Sequence, residues 1–250
     1  MSEAMQDNDP DAQQLFDMLA PKESKTTEPV QLTYSAHVGV NAEIFPSILK
    51  LHVKDGSSIA DVTYGKGAFW KYVPEGRYVT AFSDLNTGKD SESALVAKYD
   101  CRKLPYEDAS FDAVVLDPPY MHTPGGTAYE SMPAYENCYR NNDTAAPEGS
   151  DGVVLKYHEA VLGLYFEAAR EASRILKKRG LLIVKAQDEV CAHKQRLTHV
   201  EIINEYDKLG FYCDDLFVVV QTNQPGVSRM VKQRHSRKNF SYFLVMRRGA

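Results

Sequence analysis

A chain of 250 residues fits one α/β domain and is long enough to bury a full core. It carries no apolar run of membrane-spanning length and no secretory pattern at its acidic start, so a cytoplasmic protein is expected. Cys101, Cys138, Cys191 and Cys213 are far apart and the seven histidines are scattered, which argues against a disulfide scaffold and against a metal site.

The formal charge of −5 sits at one end. Residues 1–30 hold seven acids against Lys22 and Lys25, a net −5 that equals the whole excess. That segment reads as a flexible N-terminal arm, with a short helix around Leu15 to Leu19, ahead of one domain over 31–250. From about residue 55, apolar runs alternate with helical patterns. Ile59–Val62, Val79–Phe82 and Phe111–Leu116 read as strands, followed by Leu181–Val184, Leu216–Val220 and Phe240–Met246. Leu155–Lys178 is the clearest helix, with His158, Leu162, Tyr165, Ala169, Ala172 and Leu176 on one face and Gly180 as its stop. Thr198 and Glu201 have the spacing of a capping box for a second helix, which Gly210 ends. Short continuous apolar strands joined by helices predict a mostly parallel sheet covered on both faces. In such a sheet ligands bind beyond the carboxyl ends of the strands.

The informative residues all sit at those ends. After the first strand comes Asp61-Val62-Thr63-Tyr64-Gly65-Lys66-Gly67, whose paired glycines permit a tight turn and close approach of backbone to a ligand. No lysine–serine pair follows, which excludes a nucleotide-triphosphate loop, and a third glycine is missing for a dinucleotide loop. The second strand ends at Asp84, a carboxylate placed to accept from ribose hydroxyls. The Phe111–Leu116 run ends in Asp117-Pro118-Pro119-Tyr120. Two prolines hold the backbone extended and donate no hydrogen bond, leaving carbonyls outward. A carboxylate before them and an aromatic face after them suit a planar ring bearing an amino group. The amine donates to Asp117 and a proline carbonyl while Tyr120 stacks on the ring.

Asp117-Pro118-Pro119-Tyr120, together with the acid-x-x-x-Gly-x-Gly spacing of Asp61 to Gly67, resembles the S-adenosylmethionine-dependent DNA amino-methyltransferases, which methylate adenine N6 or cytosine N4. Matching pieces run from about Phe45 to Arg248. The resemblance implies a Rossmann-like class I methyltransferase fold, α/β, with a mostly parallel seven-stranded sheet and helices on both faces. It implies S-adenosylmethionine as cofactor, held by Asp61, Thr63, Gly65, Gly67, Asp84, Asp100 and Cys101, with Phe45 either a pocket wall or simply a core residue. Thr63 departs from the family, where glycine or phenylalanine is usual. Lys185 either faces the cofactor crevice or caps the sheet edge, and Tyr242 either lines the base pocket or is a core aromatic of an edge strand. Asp117, Pro118, Pro119 and Tyr120 take the catalytic role on a base flipped out of DNA or presented single-stranded. An aspartate at 117 favours adenine N6, since N4-cytosine enzymes often carry serine there. The alternatives are N4 of cytosine, adenine in RNA, or a catalytically idle nucleic-acid-binding subunit. No metal and no membrane are implied.

Recognition is expected on two loops. Residues 121–153 are turn-rich and carry Tyr139 and Arg140; residues 222–239 carry Arg229, Lys232, Arg234, Arg237 and Lys238. No acid occurs from Leu216 onward, and Arg247 and Arg248 extend that one-signed stretch as a phosphate footprint. The loops are small, so the recognised site is short or a homodimer or partner protein assists. A restriction-modification role fits this reading.

Overall fold

The structure, a computed structural model, describes residues 32–85, 96–120, 155, 157–222 and 233–250. The acidic arm 1–30, the recognition loop 121–153 with Tyr139 and Arg140, and Arg229 and Lys232 of the second loop lie outside the described residues. In chain order the elements are β1 (Ala36–Val38), α1 (Asn41–His52), β2 (Ser58–Asp61), a 3-10 turn (Ala68–Tyr72), β3 (Val79–Asp84), β4 (Val96–Lys98), β5 (Phe111–Leu116) and α2 (Tyr157–Ile175). Then follow β6 (Leu176–Ala186), β7 (Glu189–Cys191), β8 (Lys194–Arg196), α3 (Thr198–Lys208), β9 (Phe211–Val220) and β10 (Phe240–Arg248).

Eight strands form one sheet in the order β1-β9-β10-β6-β5-β2-β3-β4, and β7 and β8 pair as a separate hairpin. The expected count is seven; the eighth is β1, which pairs parallel with β9 at the edge. Three residues with an exposed-intermediate-exposed pattern have no alternation to read, so this strand is invisible in the sequence. Within the large sheet all pairings are parallel except those of β10 with β6 and β9.

The continuous apolar runs are explained by burial on both faces. Along β5, β6 and β10, Val114, Leu116, Leu182, Val184, Leu244 and Met246 face one core, closed by Val161, Leu164, Tyr165 and Ala169 of α2 and Ile202 and Tyr206 of α3. Their neighbours Ala113, Val115, Leu181, Ile183, Phe243 and Val245 face the other, closed by Ile44, Phe45, Ile48 and Leu49 of α1.

Two helix limits differ from expectation. The α2 helix stops at Ile175, not Lys178, because Leu176 already pairs with Phe111 and is buried there. Gly180 therefore lies inside β6, where a Cβ would press to 2.9 Å on the Lys177 carbonyl and 3.1 Å on that of Asp112. At α3, Leu197 occupies the N-cap, and Thr198 Oγ1 is buried with no hydrogen bond to the described residues. Glu201 points away from a capping box: its carboxylate meets His158 Nε2 at 3.1 Å. Gly210, at φ +84°, ends α3 as expected.

Candidate active site

The chain leaves β2 outward to β3 and β4, then returns to place β5 on the other side of β2. Strand order reverses between β2 and β5, and in an open α/β sheet that switch point opens a crevice at the strands' carboxyl ends. Thr63 follows β2 and Asp117 follows β5. The Asp117 N–H donates to Thr63 Oγ1 at 2.6 Å, tying the glycine loop to the Asp-Pro-Pro-Tyr turn. Thr63, the residue that departs from the family pattern, is thus the bolt between the two motifs; glycine or phenylalanine there has no oxygen to accept that bond.

The glycine loop is held from beneath and from the side. Asp61, 3% exposed, accepts from the Thr63 N–H at 3.1 Å and from the Trp70 indole at 2.7 Å. Burial pushes the Asp61 carboxyl up to about 7, against the lowering effect of those two bonds. Asp84, at the end of β3, accepts from the Gly65 N–H at 2.9 Å. Gly65 and Gly67 both adopt left-handed backbone, φ +56° and +70°. A Cβ at Gly65 would have nothing nearer than 4.0 Å among the described residues, so the loop leaves open space above it, whereas a Cβ at Gly67 would run into the Tyr64 hydroxyl.

The Asp117 side chain is the most unusual group of the site. Its Oδ1 is buried and accepts no hydrogen bond from the described residues. A buried carboxylate oxygen without a donor costs on the order of 1–3 kcal/mol, more for an ionised group, so its persistence calls for a donor beyond the described residues. The register Leu116↔Val184 places Asp117 beside Lys185 on the neighbouring strand. Lys185 is 1% exposed; its Nζ donates to Ser241 Oγ and lies 4.5 Å from the centre of the Phe243 ring. Burial pushes the Asp117 carboxyl up while the Lys185 charge holds it down. Burial pushes the Lys185 amine down while Asp117 holds it up. Each is the other's counter-charge in a dry site.

Asp61, Thr63, Gly65, Gly67, Asp84, Asp117, Pro118, Pro119 and Tyr120 are brought together along the carboxyl edge of three adjacent strands. Tyr120 packs against the α2-side core, and Asp117 and Tyr120 both stand near enough to Tyr165 to raise its hydroxyl, after burial itself. The remaining residues are placed differently. Phe45 is fully buried among Phe69, Trp70 and Phe243, with ring centres 5.2–5.9 Å apart. Cys101 is fully buried, and Asp100 is gripped by the Arg102 N–H at 2.9 Å and by its guanidinium at 2.7–3.2 Å. Lys185 does not cap an edge, because β6 is interior. Nor is Tyr242 on an edge strand: β10 lies between β9 and β6. Arg234 and Arg237 are exposed and Lys238 is half-buried just before β10, where His235 Nε2 meets the His193 carbonyl at 3.0 Å on the β7–β8 turn.

Sequence reasoning missed a group at the end of β6. Asp188, 4% exposed, meets His199 Nδ1 at 2.7 Å and accepts from the Tyr242 hydroxyl at 3.2 Å. His199 stacks on the Tyr242 ring at 4.1 Å. Beside it, His158 is held between Glu189 at 2.7 Å and Glu201 at 3.1 Å. These partners are 11 to 54 residues apart, so no local spacing announces them; the only signal was the acidic pair Asp188-Glu189 directly after an apolar strand. Among the described residues no cluster of metal-ligating side chains occurs, and no helix is long and apolar enough to cross a membrane.

No family model matches the chain, and no curated protein matches it. Solved structures do. A 1,6-didemethyltoxoflavin-N1-methyltransferase from Burkholderia thailandensis, solved with S-adenosylhomocysteine bound, superposes with a TM-score of 0.52 at 11% identity, covering 84% of this chain and 79% of that one. A sarcosine dimethylglycine methyltransferase candidate from Galdieria sulphuraria reaches 0.44 at 13% identity, covering 71% of this chain, which spans 63% of its length. A candidate DNA modification methylase from Thermus thermophilus reaches 0.37 at 21% identity, over 60% of this chain and 51% of that one. The last two superpose too loosely to carry an argument. The first, with the strand order and the crevice described above, establishes the architecture: this chain has the class I S-adenosylmethionine-dependent methyltransferase fold.

Proposed function

We propose that the chain is an S-adenosylmethionine-dependent methyltransferase acting on the exocyclic N6 amine of adenine in DNA. The observation that carries this reading is the buried Oδ1 of Asp117 at the switch point of the sheet, without a donor among the described residues, fixed by a double proline and backed by Lys185. The residues fit the cofactor: a left-handed glycine loop with open space above Gly65, cradled by Asp61 and Asp84. When bound, S-adenosylmethionine supplies an electrophilic sulfonium methyl.

The rest falls to the protein. Asp117 Oδ1 accepts one N–H of the amine and the Pro118 carbonyl accepts the other, which draws the nitrogen lone pair out of conjugation and aims it. Tyr120 stacks on the ring and fixes its plane. Holding the base in this way contributes several kcal/mol through positioning. The departing proton goes to Asp117, whose carboxyl burial makes a better base than a surface carboxylate. No covalent intermediate on the protein is needed. Arg234, Arg237 and Lys238 beside the crevice supply phosphate contacts, and the target is flipped out of the duplex or met single-stranded.

Methyl transfer from labelled S-adenosylmethionine to duplex DNA, single-stranded DNA and total RNA, followed by mass analysis of nucleosides, tests the reading. The expected product is N6-methyldeoxyadenosine, reduced about 10²–10⁴-fold by Asp117→Ala and by Tyr120→Ala. Methylated cytosine or ribonucleosides would replace the substrate and keep the mechanism. Transfer to none of them, with cofactor binding intact, would reject an enzyme acting alone on nucleic acid.

A further inference from the structure

The basic residues near the end of the chain do not form one surface. The β10 strand runs from Phe240 to Arg248, a rise of roughly 30 Å at about 3.3 Å per residue. It therefore carries Arg247 and Arg248 to the edge of the sheet opposite the crevice, away from Arg234, Arg237 and Lys238. At that far edge a cavity of about 180 Å³ opens, lined by Lys54 after α1, by Lys177, Lys178 and Arg179 of β6, and by Arg247 of β10.

The acids that reach this edge are already matched. Asp112 Oδ1 accepts from Lys177 Nζ at 2.8 Å, and its Oδ2 accepts from the N–H and hydroxyl of Ser58, both at 2.8 Å. Asp214 pairs with Arg247 at 2.6 Å, and Asp215 with His52 at 3.1 Å. Among the described residues this leaves Lys54, Lys178 and Arg179 with no carboxylate partner. Three cations without a carboxylate partner border one opening. Arg179 is also held at φ +61°, a left-handed conformation that a non-glycine residue adopts at a cost. Such outliers persist where surrounding structure imposes them, often at ligand sites.

We propose that this cavity is an anion site that takes a phosphoryl group. A guanidinium offers the planar fork that phosphate oxygens accept, and two lysines add compact charge beside it. The volume is well below the roughly 300 Å³ at which pockets begin to enclose whole small ligands, so the site holds one or two phosphoryl groups and leaves the rest of the molecule outside. It lies at the amino ends of β5 and β6, remote from the methyl-transfer crevice, and stands whether or not the proposed methyl transfer is correct.

Titration of the full chain with inorganic pyrophosphate, followed by calorimetry and phosphorus NMR line width, tests it. Saturable binding is expected, weakened at least tenfold in Lys178→Gln/Arg179→Asn, where asparagine tolerates the left-handed backbone. Arg234→Gln/Arg237→Gln should leave it unchanged. Lys54→Gln, on a different element, provides a second reading should the double variant fold poorly. Absence of saturable binding overturns the site, as does binding lost in the tail variant and kept in the cavity variants. Displacement of pyrophosphate by a duplex oligonucleotide would identify the ligand as a nucleic-acid backbone; binding that resists displacement would identify it as a free phosphate compound.

Discussion

Lys185 is the buried cation beside Asp117, and in the proposed reaction it acts through that carboxylate. In the proposed reaction Asp117 can take the departing proton only when ionised, and burial makes ionisation harder. The Lys185 ammonium opposes that effect from the adjoining strand, and Ser241 and Phe243 fix its position. Methyl transfer should therefore rise with pH as Asp117 loses its proton. In Lys185→Met the acid limb of the kcat/KM profile should move upward by about one pH unit or more, the size of effect a close opposite charge exerts. A profile that falls in amplitude but keeps its acid limb would show that Lys185 serves packing alone. Thr63 belongs to the same scale: one hydroxyl, 2.6 Å from the Asp117 N–H, sets the spacing between the two motifs.

Among the elements, the join of α2, β7 and α3 carries the sharpest consequence. His158 near the start of α2 is fully buried and bridges Glu189 of β7 and Glu201 of α3. Burial alone would lower its pKa, but the two carboxylates outweigh it, so the folded value is raised above the ordinary 6.5. For a group raised in the folded state, the stabilisation is fully present below pH 6.5 and is lost as pH climbs through the folded value. Urea unfolding of the native chain should show falling stability above about pH 6.5. His158→Ala should flatten that dependence and lower stability at about pH 6 by about 3 kcal/mol, because it removes the buried cation that Glu189 and Glu201 face. A variant with the native pH dependence would place the sensitivity elsewhere. Capping is the contrasting case: Thr198 and Glu201 have the right spacing, yet the glutamate is drawn to His158, a buried imidazole that offers a charge-assisted partner.

For the molecule as a whole, charge is distributed by strand direction. The antiparallel β10 begins at the crevice edge and ends at the opposite one, so the acid-free C-terminal stretch is divided into two basic surfaces. Arg234 and Arg237 stay at the crevice edge, exposed, next to the β7–β8 turn. Duplex DNA binding is expected to weaken steeply with salt. Neutralising both arginines should reduce the slope of log K against log salt by roughly two, since each phosphate contact contributes about 0.9. An unchanged slope would remove these residues from the phosphate contacts. Arg247 and Arg248 should contribute nothing to that slope: Arg247 is paired with Asp214, and Arg248 donates to the Leu176 carbonyl.

Local chemistry was legible in the sequence. The run Phe111–Leu116 is the strand found, the glycine loop and the double proline stand at strand ends, and Gly210 ends its helix, because each depends on residues a few positions apart. The α/β class followed from the same periodicities. Tertiary structure decided whatever depends on which distant residues meet. It made Lys185 a buried counter-charge instead of an edge cap, sent Glu201 to His158, gathered Asp188, His199 and Tyr242, and split the basic tail across two edges. Periodicity reports which face of an element is apolar, but a buried charge finds its partner only when strand order brings the two together.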